Sequence, residues 1–134
     1  MLKKTMIFAA CVVAMPVLAW AEDTAAGDAA AGEKVFRKCQ ACHEVGADAR
    51  NKVGPLLSGV VGRQIASVDG FKYSKVLIAL GAEGKVWTPD ELAAFLEKPR
   101  DYAKGTKMVF AGLRKEEERA DVIAYLATFG SDGS

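Results

Sequence analysis

Histidine and cysteine are scarce in this chain of 134 residues, which contains one histidine and three cysteines. A structural zinc site takes four ligands from cysteine, histidine or carboxylate side chains. Cys11 lies in an N-terminal segment that is expected to be removed, so only Cys39, Cys42 and His43 would be left, and zinc would have to recruit an aspartate or a glutamate. The chain also lacks an internal repeat and any convincing alternation of apolar and polar residues. These absences argue against a zinc module, a repeat protein and a β-rich fold.

The scarce residues are concentrated in one motif, Cys39-Gln40-Ala41-Cys42-His43. The spacing C-x-x-C-H is the attachment signature of a c-type haem, because two thiols on one face of a helical turn can form thioethers and the imidazole can bind iron. A thioredoxin-like dithiol would need a βαβ pattern nearby, which is absent. A disulfide within the motif would close a very short loop and stabilise little. The motif therefore predicts one covalently bound haem c.

The N-terminus has the three parts of a secretory signal peptide. Lys3-Lys4 precede an apolar run over residues 6–18, and Ala19-Trp20-Ala21 forms an A-x-A cleavage site. The apolar run is shorter than the ~20 residues of a membrane-spanning helix, and Pro16 interrupts its end. The sequence therefore predicts a cleaved signal peptide over residues 1–21 and export to the periplasm. An uncleaved membrane anchor is the alternative.

Cleavage after residue 21 would leave one histidine and one methionine as candidate iron ligands. Cys11 and the methionines at positions 1, 6 and 15 would be removed, so that Cys39, Cys42, His43 and Met108 remain. A lone methionine is ordinarily a soft core residue, but Met108 lies in a loop of glycine, lysine and threonine. Because electron-carrying haems often pair histidine with methionine, we expect His43 and Met108 as axial ligands of a six-coordinate, high-potential haem.

Apolar spacing and capping residues predict about four short helices separated by long loops. Residues 44–70 and 100–113 are expected to be loops. Gly32 falls inside the first helix at a cost of about 1 kcal/mol relative to alanine, which favours the close passage of another backbone. The first helix is expected to run from about Asp28 into the haem motif, and the second from Tyr73 to Leu80, with Gly81 as its stop. The third is expected to begin after the N-cap Thr88, where Glu91 closes a capping box, and to end at Pro99. The last is expected to run from about Lys115 to Phe129.

Four lysines lie close to the predicted haem-binding segments: Lys38, Lys52, Lys104 and Lys107. Most lysines are solvated surface residues, but the acidic residues concentrate elsewhere, at positions 22, 23 and 28 and at 116–118. The pattern predicts a basic rim around the haem edge. Such a rim would steer the protein onto acidic partners and would weaken with salt.

With these residues in place, the chain resembles class I cytochrome c, specifically the soluble bacterial, cytochrome c2-like branch that is close to mitochondrial cytochrome c. The resemblance extends from Gly32 to Phe129. It implies an all-α fold of four to five short helices and long loops around one covalently bound haem, in a domain over residues 22–134 with a flexible leader at 22–27. The motifs that carry it are C-x-x-C-H, Gly54-Pro55-x-Leu57, Gly59 to Gly62-Arg63, Gly70-Phe71-x-Tyr73, Trp87, Lys104-Gly105-Thr106-Lys107-Met108-x-Phe110-Ala111-Gly112 and the final helix from Glu117 to Leu126.

The resemblance implies roles for further site residues. The carbonyl of Pro55 would accept a hydrogen bond from His43 and so orient the ligand. Phe110 would shield the haem beside Met108. The residues expected around the haem propionates are Arg63, Tyr73, Trp87 and Thr106.

Three positions depart from the family pattern. Phe95 stands where many relatives have a tyrosine whose hydroxyl reaches the methionine sulfur. Leu77 stands where an asparagine often orders an internal water. The segment 77–86 is about three residues longer than in the mitochondrial form. By contrast, Gly32 and Phe36 match residues that pack on Tyr125 where the first and last helices cross.

The function implied by the resemblance is that of a one-electron carrier and not of an enzyme. The donor would be a cytochrome bc complex, and the acceptor would be a photosynthetic reaction centre, a cytochrome oxidase or a denitrification enzyme, contacted through the basic rim. We expect a monomer with no nucleic-acid partner. The alternative is a haem-based gas sensor or a peroxidase-like enzyme, which would need an open iron position.

Overall fold

Five short helices joined by long loops make up residues 27–130, the part of the chain that the computed structural model describes. The predicted signal peptide and residues 22–26 of the leader lie outside these described residues. No strand forms within residues 27–130, where an isolated bridge pairs Gln64 with Val86. This confirms the predicted all-α class. The helices are α1 (Ala29–Phe36), α2 (Lys75–Ala82), α3 (Pro89–Glu97), α4 (Pro99–Tyr102) and α5 (Glu116–Ala127).

Helices α1 and α5 cross in close contact at Gly32. A Cβ atom added to Gly32 would lie 1.9 Å from the carbonyl oxygen of Asp121 and 2.8 Å from the Cβ of Tyr125. The rings of Phe36 and Tyr125 pack beside the crossing, with centroids 5.4 Å apart. The Asp121 carboxylate is buried, and its Oδ1 accepts a hydrogen bond of 2.7 Å from the backbone N–H of Asp28. The predicted close passage of another backbone at Gly32 is therefore confirmed.

Helix α1 begins where the sequence predicts and ends earlier. The Asp28 side chain caps it by accepting from the backbone N–H groups of residues 30 and 31. The helix ends at Phe36, so its predicted continuation into the haem motif is wrong. The motif is instead held in tight turns, because Cys39 N–H donates to the Phe36 carbonyl at 2.7 Å and His43 N–H donates to the Cys39 carbonyl at 3.0 Å.

Helix α2 corrects the role predicted for Gly81. The helix begins later than expected, after the N-cap Ser74, and continues through Gly81 to Ala82. Gly81 allows the helix to pack closely on the backbone at Ile65, because a Cβ at position 81 would lie 2.1 Å from the Ile65 carbonyl oxygen. The chain turns at Gly84 instead, where φ is +80°. The longer segment 77–86 therefore forms the second half of α2 and the turn that follows it.

Helix α3 begins at its predicted cap, but the capping box is not closed. The Thr88 hydroxyl accepts from the Glu91 N–H at 3.1 Å. The Glu91 carboxylate does not return to the Thr88 N–H, which donates to the Val86 carbonyl. It accepts a hydrogen bond from the Tyr102 hydroxyl instead. The expected box is wrong because a tertiary partner takes the carboxylate.

Helix α4 lies at the start of a segment predicted to be a loop. Pro99 ends α3, as expected, and also begins α4 as its first residue. The fixed φ of proline suits a first helical position, where no N–H partner is needed. The loop prediction is therefore wrong for residues 100–102.

None of the helices within residues 27–130 is long and apolar enough to cross a membrane.

We predict that Gly32→Ala destabilises the protein although alanine favours helix formation. The new methyl group must displace the backbone of α5, and overpacking of this kind costs about 1–3 kcal/mol. Chemical denaturation should show a lower free energy of unfolding. Ala30→Gly at an exposed position of the same helix measures the propensity effect alone, about 1 kcal/mol. A Gly32→Ala protein more stable than the wild type would contradict the close crossing.

Candidate haem site

A cavity in the interior of the described residues brings all the predicted site residues together. Its walls come from the turns after α1, from the loop of residues 53–74, from α3 and α5, and from the loop that follows α4. Every residue predicted to hold the haem lies in this wall, although the sequence separates them widely. They are Cys39, Cys42, His43, Pro55, Arg63, Tyr73, Trp87, Thr106, Met108 and Phe110.

The imidazole of His43 is oriented by Pro55. The His43 Nδ1 lies 2.7 Å from the Pro55 carbonyl oxygen. A carbonyl only accepts, so Nδ1 carries the proton and donates it, which leaves the lone pair of Nε2 free. Burial lowers the pKa of His43, with Arg63 and Lys52 adding to the shift and the Pro55 hydrogen bond opposing it. The side chain is therefore a neutral imidazole in the tautomer that can bind a metal through Nε2.

The backbone at Gly54 packs directly against the same imidazole ring. A Cβ at this position would lie 2.3 Å from the His43 Cε1 atom. The Gly54 N–H donates to the Cys42 carbonyl at 2.9 Å, which fixes the 54–55 backbone against the motif. The Gly-Pro pair indicated a turn from sequence, but this contact with the histidine had no sequence signal of its own.

The two thiols of the motif are free in the structure. Cys39 and Cys42 are half-buried and are not joined by a disulfide. Burial raises the pKa of the Cys39 thiol to about 11, and nearby Lys38 only partly offsets this. A reactive dithiol needs a lowered thiol pKa. The raised pKa therefore argues against redox exchange between the two cysteines.

Met108 is delivered to the cavity by a hydrogen-bonded loop. The Met108 N–H donates to the Thr106 hydroxyl at 3.3 Å, and the Thr106 N–H donates to the Ala103 carbonyl at 2.9 Å. Beyond Met108, the N–H of Leu113 donates to the Leu96 carbonyl at 2.7 Å. Both ends of the loop are therefore fixed to the adjoining helices, with the thioether half-buried in the cavity wall.

Arg63 supplies a buried donor that the protein leaves without a partner. Its two terminal nitrogens donate to the backbone carbonyls of Ser58 and Leu56, at 2.9 and 3.1 Å. Its Nε is buried and has no hydrogen-bond partner among the described residues. A buried charged donor of this kind requires an acceptor, and an anion suits it best. The propionates of a haem would provide that anion, so the residues present fit the group.

Tyr73 and the remaining apolar residues complete the wall. The Tyr73 hydroxyl accepts from the Val68 N–H at 3.1 Å, which leaves its own proton to donate. Burial raises the pKa of Tyr73, so the phenol stays protonated. The predicted site did not include most of the apolar residues that α3 and α5 contribute to this wall, because helical spacing shows which residues share a face and not what that face contacts. These lining residues are Leu92, Phe95, Leu96, Val122 and Leu126, beside Leu57, Val60 and Leu77 from other segments.

The basic rim differs from its prediction at Lys38. The Lys38 Nζ lies 2.9 Å from the Glu118 Oε1, and the hydrogen bond from Lys38 lowers the pKa of Glu118. The expectation that residues 116–118 lie away from the rim is therefore wrong for Glu118. It fails because the α1–α5 crossing places the first turn of α5 beside the haem motif. Lys52, Lys104 and Lys107 are exposed.

Comparison with known proteins agrees with this geometry. The family described as Cytochrome c matches residues 29–130. A cytochrome c-550 of Ancylobacter novellus is 51% identical over 105 residues, which cover 78% of this chain and 98% of that protein. A cytochrome c-554 of Methylosinus trichosporium is 46% identical over 129 residues, which cover 96% of this chain and 95% of that protein.

A solved structure shares both the fold and the sequence pattern. The structure of cytochrome c2 from Rhodospirillum centenum superposes with a TM-score of 0.73 at 47% identity, and the match covers 78% of this chain and 99% of that one. The chain therefore belongs to the cytochrome c family, and its cofactor is one haem c attached covalently at Cys39 and Cys42.

Proposed function

We propose that this protein is a periplasmic one-electron carrier in which His43 and Met108 bind the haem iron from its two faces. The observation that carries the proposal is that both side chains line the same cavity, with the imidazole held neutral and oriented by Pro55. A bound haem supplies a ferric/ferrous couple that accepts and releases one electron. With both axial positions filled, the site has no place for a substrate on the iron.

The surrounding residues support the carrier in two ways. Arg63, with Tyr73, Trp87 and Thr106, would hold the propionates and neutralise their charge inside the protein. Phe110 and the apolar faces of α3 and α5 would exclude water from the iron. A dry site with thioether ligation favours the less charged ferrous state and raises the reduction potential.

Met108→Ala tests the ligand pair. Ferric haem with methionine ligation has a weak far-red charge-transfer band, and we expect this band in the wild type and its loss in the variant. The reduced wild type should bind carbon monoxide negligibly at neutral pH, and the reduced variant should bind it rapidly, because an axial position has opened. Val109→Ala, one residue along in the same loop, is the matched control and should keep the band.

Two outcomes would count against the proposal. Persistence of the far-red band in Met108→Ala would remove Met108 as the ligand. Rapid binding of carbon monoxide by the reduced wild type would favour the alternative function, that of a gas sensor or a peroxidase-like enzyme.

The proposed partners are a cytochrome bc complex as donor and a reaction centre, cytochrome oxidase or denitrification enzyme as acceptor. Exposed lysines and exposed apolar residues near the cavity support a contact at this face. Val53 and Val109 both line the cavity, and their side chains are 78% and 84% exposed. Lys107 also lines the cavity, and Lys104 lies three residues before Lys107 in the Met108 loop. The four-lysine rim of the sequence is thus reduced mainly to Lys52, Lys104 and Lys107, because Lys38 pairs with Glu118.

Charge reversal tests the basic rim. We expect Lys104→Glu to slow reduction by a cytochrome bc complex by roughly tenfold at low ionic strength, and less at high ionic strength, because salt screens steering. Lys85→Glu makes the same change in net charge on an exposed residue that lies neither in the cavity wall nor in the Met108 loop, and it should have a much smaller effect. Equal effects of the two variants, or rates that do not depend on ionic strength, would contradict a localised rim.

Periplasmic location rests on the signal peptide predicted over residues 1–21. The family match itself begins at Ala29, after this segment. Mass spectrometry of the N-terminus of the exported protein separates a cleaved carrier that begins at Glu22 from a carrier tethered by an uncleaved segment.

A further inference from the structure

One side-chain hydrogen bond links the start of α3 to the end of α4. The Tyr102 hydroxyl donates to the Oε2 of Glu91, and both residues are half-buried. Tyr102 is the last residue of α4, and Glu91 lies in the first turn of α3. Burial raises the pKa of Tyr102, and the hydrogen bond and charge of Glu91 raise it further. The phenol therefore remains a protonated donor throughout the neutral range.

The ring of Tyr102 is held by aromatic residues of the cavity wall. Its centroid lies 5.6 Å from that of Phe95, edge to face, and 6.1 Å from that of Trp87. Phe95 and Trp87 themselves pack at 5.0 Å and both line the cavity. The Tyr102 ring thus packs on the outer side of this pair of rings while its hydroxyl binds Glu91.

Hydrogen bonds within residues 99–108 connect Tyr102 to Met108. Ala103 follows Tyr102, is fully buried, and donates from its N–H to the Pro99 carbonyl at 2.9 Å. Its own carbonyl accepts from Thr106 at 2.9 Å, and the Thr106 hydroxyl accepts from the Met108 N–H at 3.3 Å. A shift of Tyr102 would therefore be passed along the chain to Met108.

The other end of the Met108 loop is fixed to the other end of α3 by backbone contacts. The Leu113 N–H donates to the Leu96 carbonyl at 2.7 Å. A Cβ on Gly112 would lie 2.0 Å from the Glu97 carbonyl oxygen, so the two backbones are in contact. The loop is thus attached to α3 at both ends. At the start of α3 the attachment includes one side-chain hydrogen bond, between Tyr102 and Glu91, beside the packing of the Tyr102 ring on Phe95.

We propose that the Glu91–Tyr102 hydrogen bond positions Met108 and keeps it on the iron. Phe95 has no hydroxyl to offer the methionine sulfur, so that support cannot come from position 95. Tyr102 and Glu91 hold the loop from outside the cavity and are positioning residues, since neither lines the cavity wall. The inference rests on the proposed ligation by Met108.

The test measures how easily an external ligand displaces Met108. Imidazole is titrated into the ferric holoprotein at pH 7, and binding is followed by loss of the far-red band. We expect Tyr102→Phe and Glu91→Ala each to increase the affinity for imidazole by about tenfold, the equivalent of one hydrogen bond to a charged group at a partly buried site. The double variant should resemble the single variants, because each single variant already removes the same hydrogen bond.

Two controls match the substitutions. Tyr125→Phe removes a tyrosine hydroxyl from α5, and Asp90→Ala removes a carboxylate from the same first turn of α3 as Glu91. Both should leave the imidazole affinity within about twofold of the wild type. Glu91→Ala keeps the test available if Tyr102→Phe fails to fold.

The possible results distinguish failure of the positioning role of Glu91 and Tyr102 from failure of iron ligation by Met108. If the wild type shows the far-red band and both variants bind imidazole as the wild type does, the positioning role is overturned while ligation by Met108 stands. The positioning role is also overturned if the variants lose global stability with unchanged imidazole affinity, since the hydrogen bond is then only structural. If the wild type itself lacks the band, the ligation by Met108 fails and the inference fails with it.

Discussion

Most of the buried apolar side chains within residues 27–130 line one cavity, and the stability of the fold depends on what fills it. Protein interiors are normally packed as densely as organic crystals, and an empty interior space forfeits contacts on every side. Helices of 4 to 12 residues would bury little on their own. Covalent haem supplies the missing apolar core, and a group bound only by the native state stabilises that state. The residues that belong to both the core and the cavity wall are Phe36, Val60, Trp87, Leu92, Phe95, Leu96, Val122 and Leu126.

The polar groups around this core are held in position by the backbone. Pro55 sets the tautomer of His43, and Gly54 leaves just enough room for the ring. Within residues 27–130, the buried Nε of Arg63 on the same wall has no hydrogen-bond partner. Met108 lies on a loop that is fixed at both of its ends, to helix α3 and to its neighbours. Hydrogen bonds within the protein thus hold these groups in position.

Local signals in the sequence were sufficient where the chemistry is local. The C-x-x-C-H spacing, the single histidine and the position of Met108 singled out residues that line one cavity, and Asp28 and Thr88 identified helix starts. Gly32 is a stronger case, because an unfavourable residue in a helix indicated a contact with a distant segment. The predictions failed where a tertiary partner replaced a local one. Gly81 allows close packing on the Ile65 carbonyl and does not end α2. The Glu91 carboxylate binds Tyr102 and not Thr88. Glu118 pairs with Lys38.

The central claim is one haem whose two axial positions are both filled, by His43 and by Met108. A redox titration of the purified holoprotein, followed by visible spectra, tests it most directly. The account predicts a single one-electron transition at a high potential, with low-spin spectra in both oxidation states. A high-spin ferric spectrum, a second transition or a low potential would contradict it.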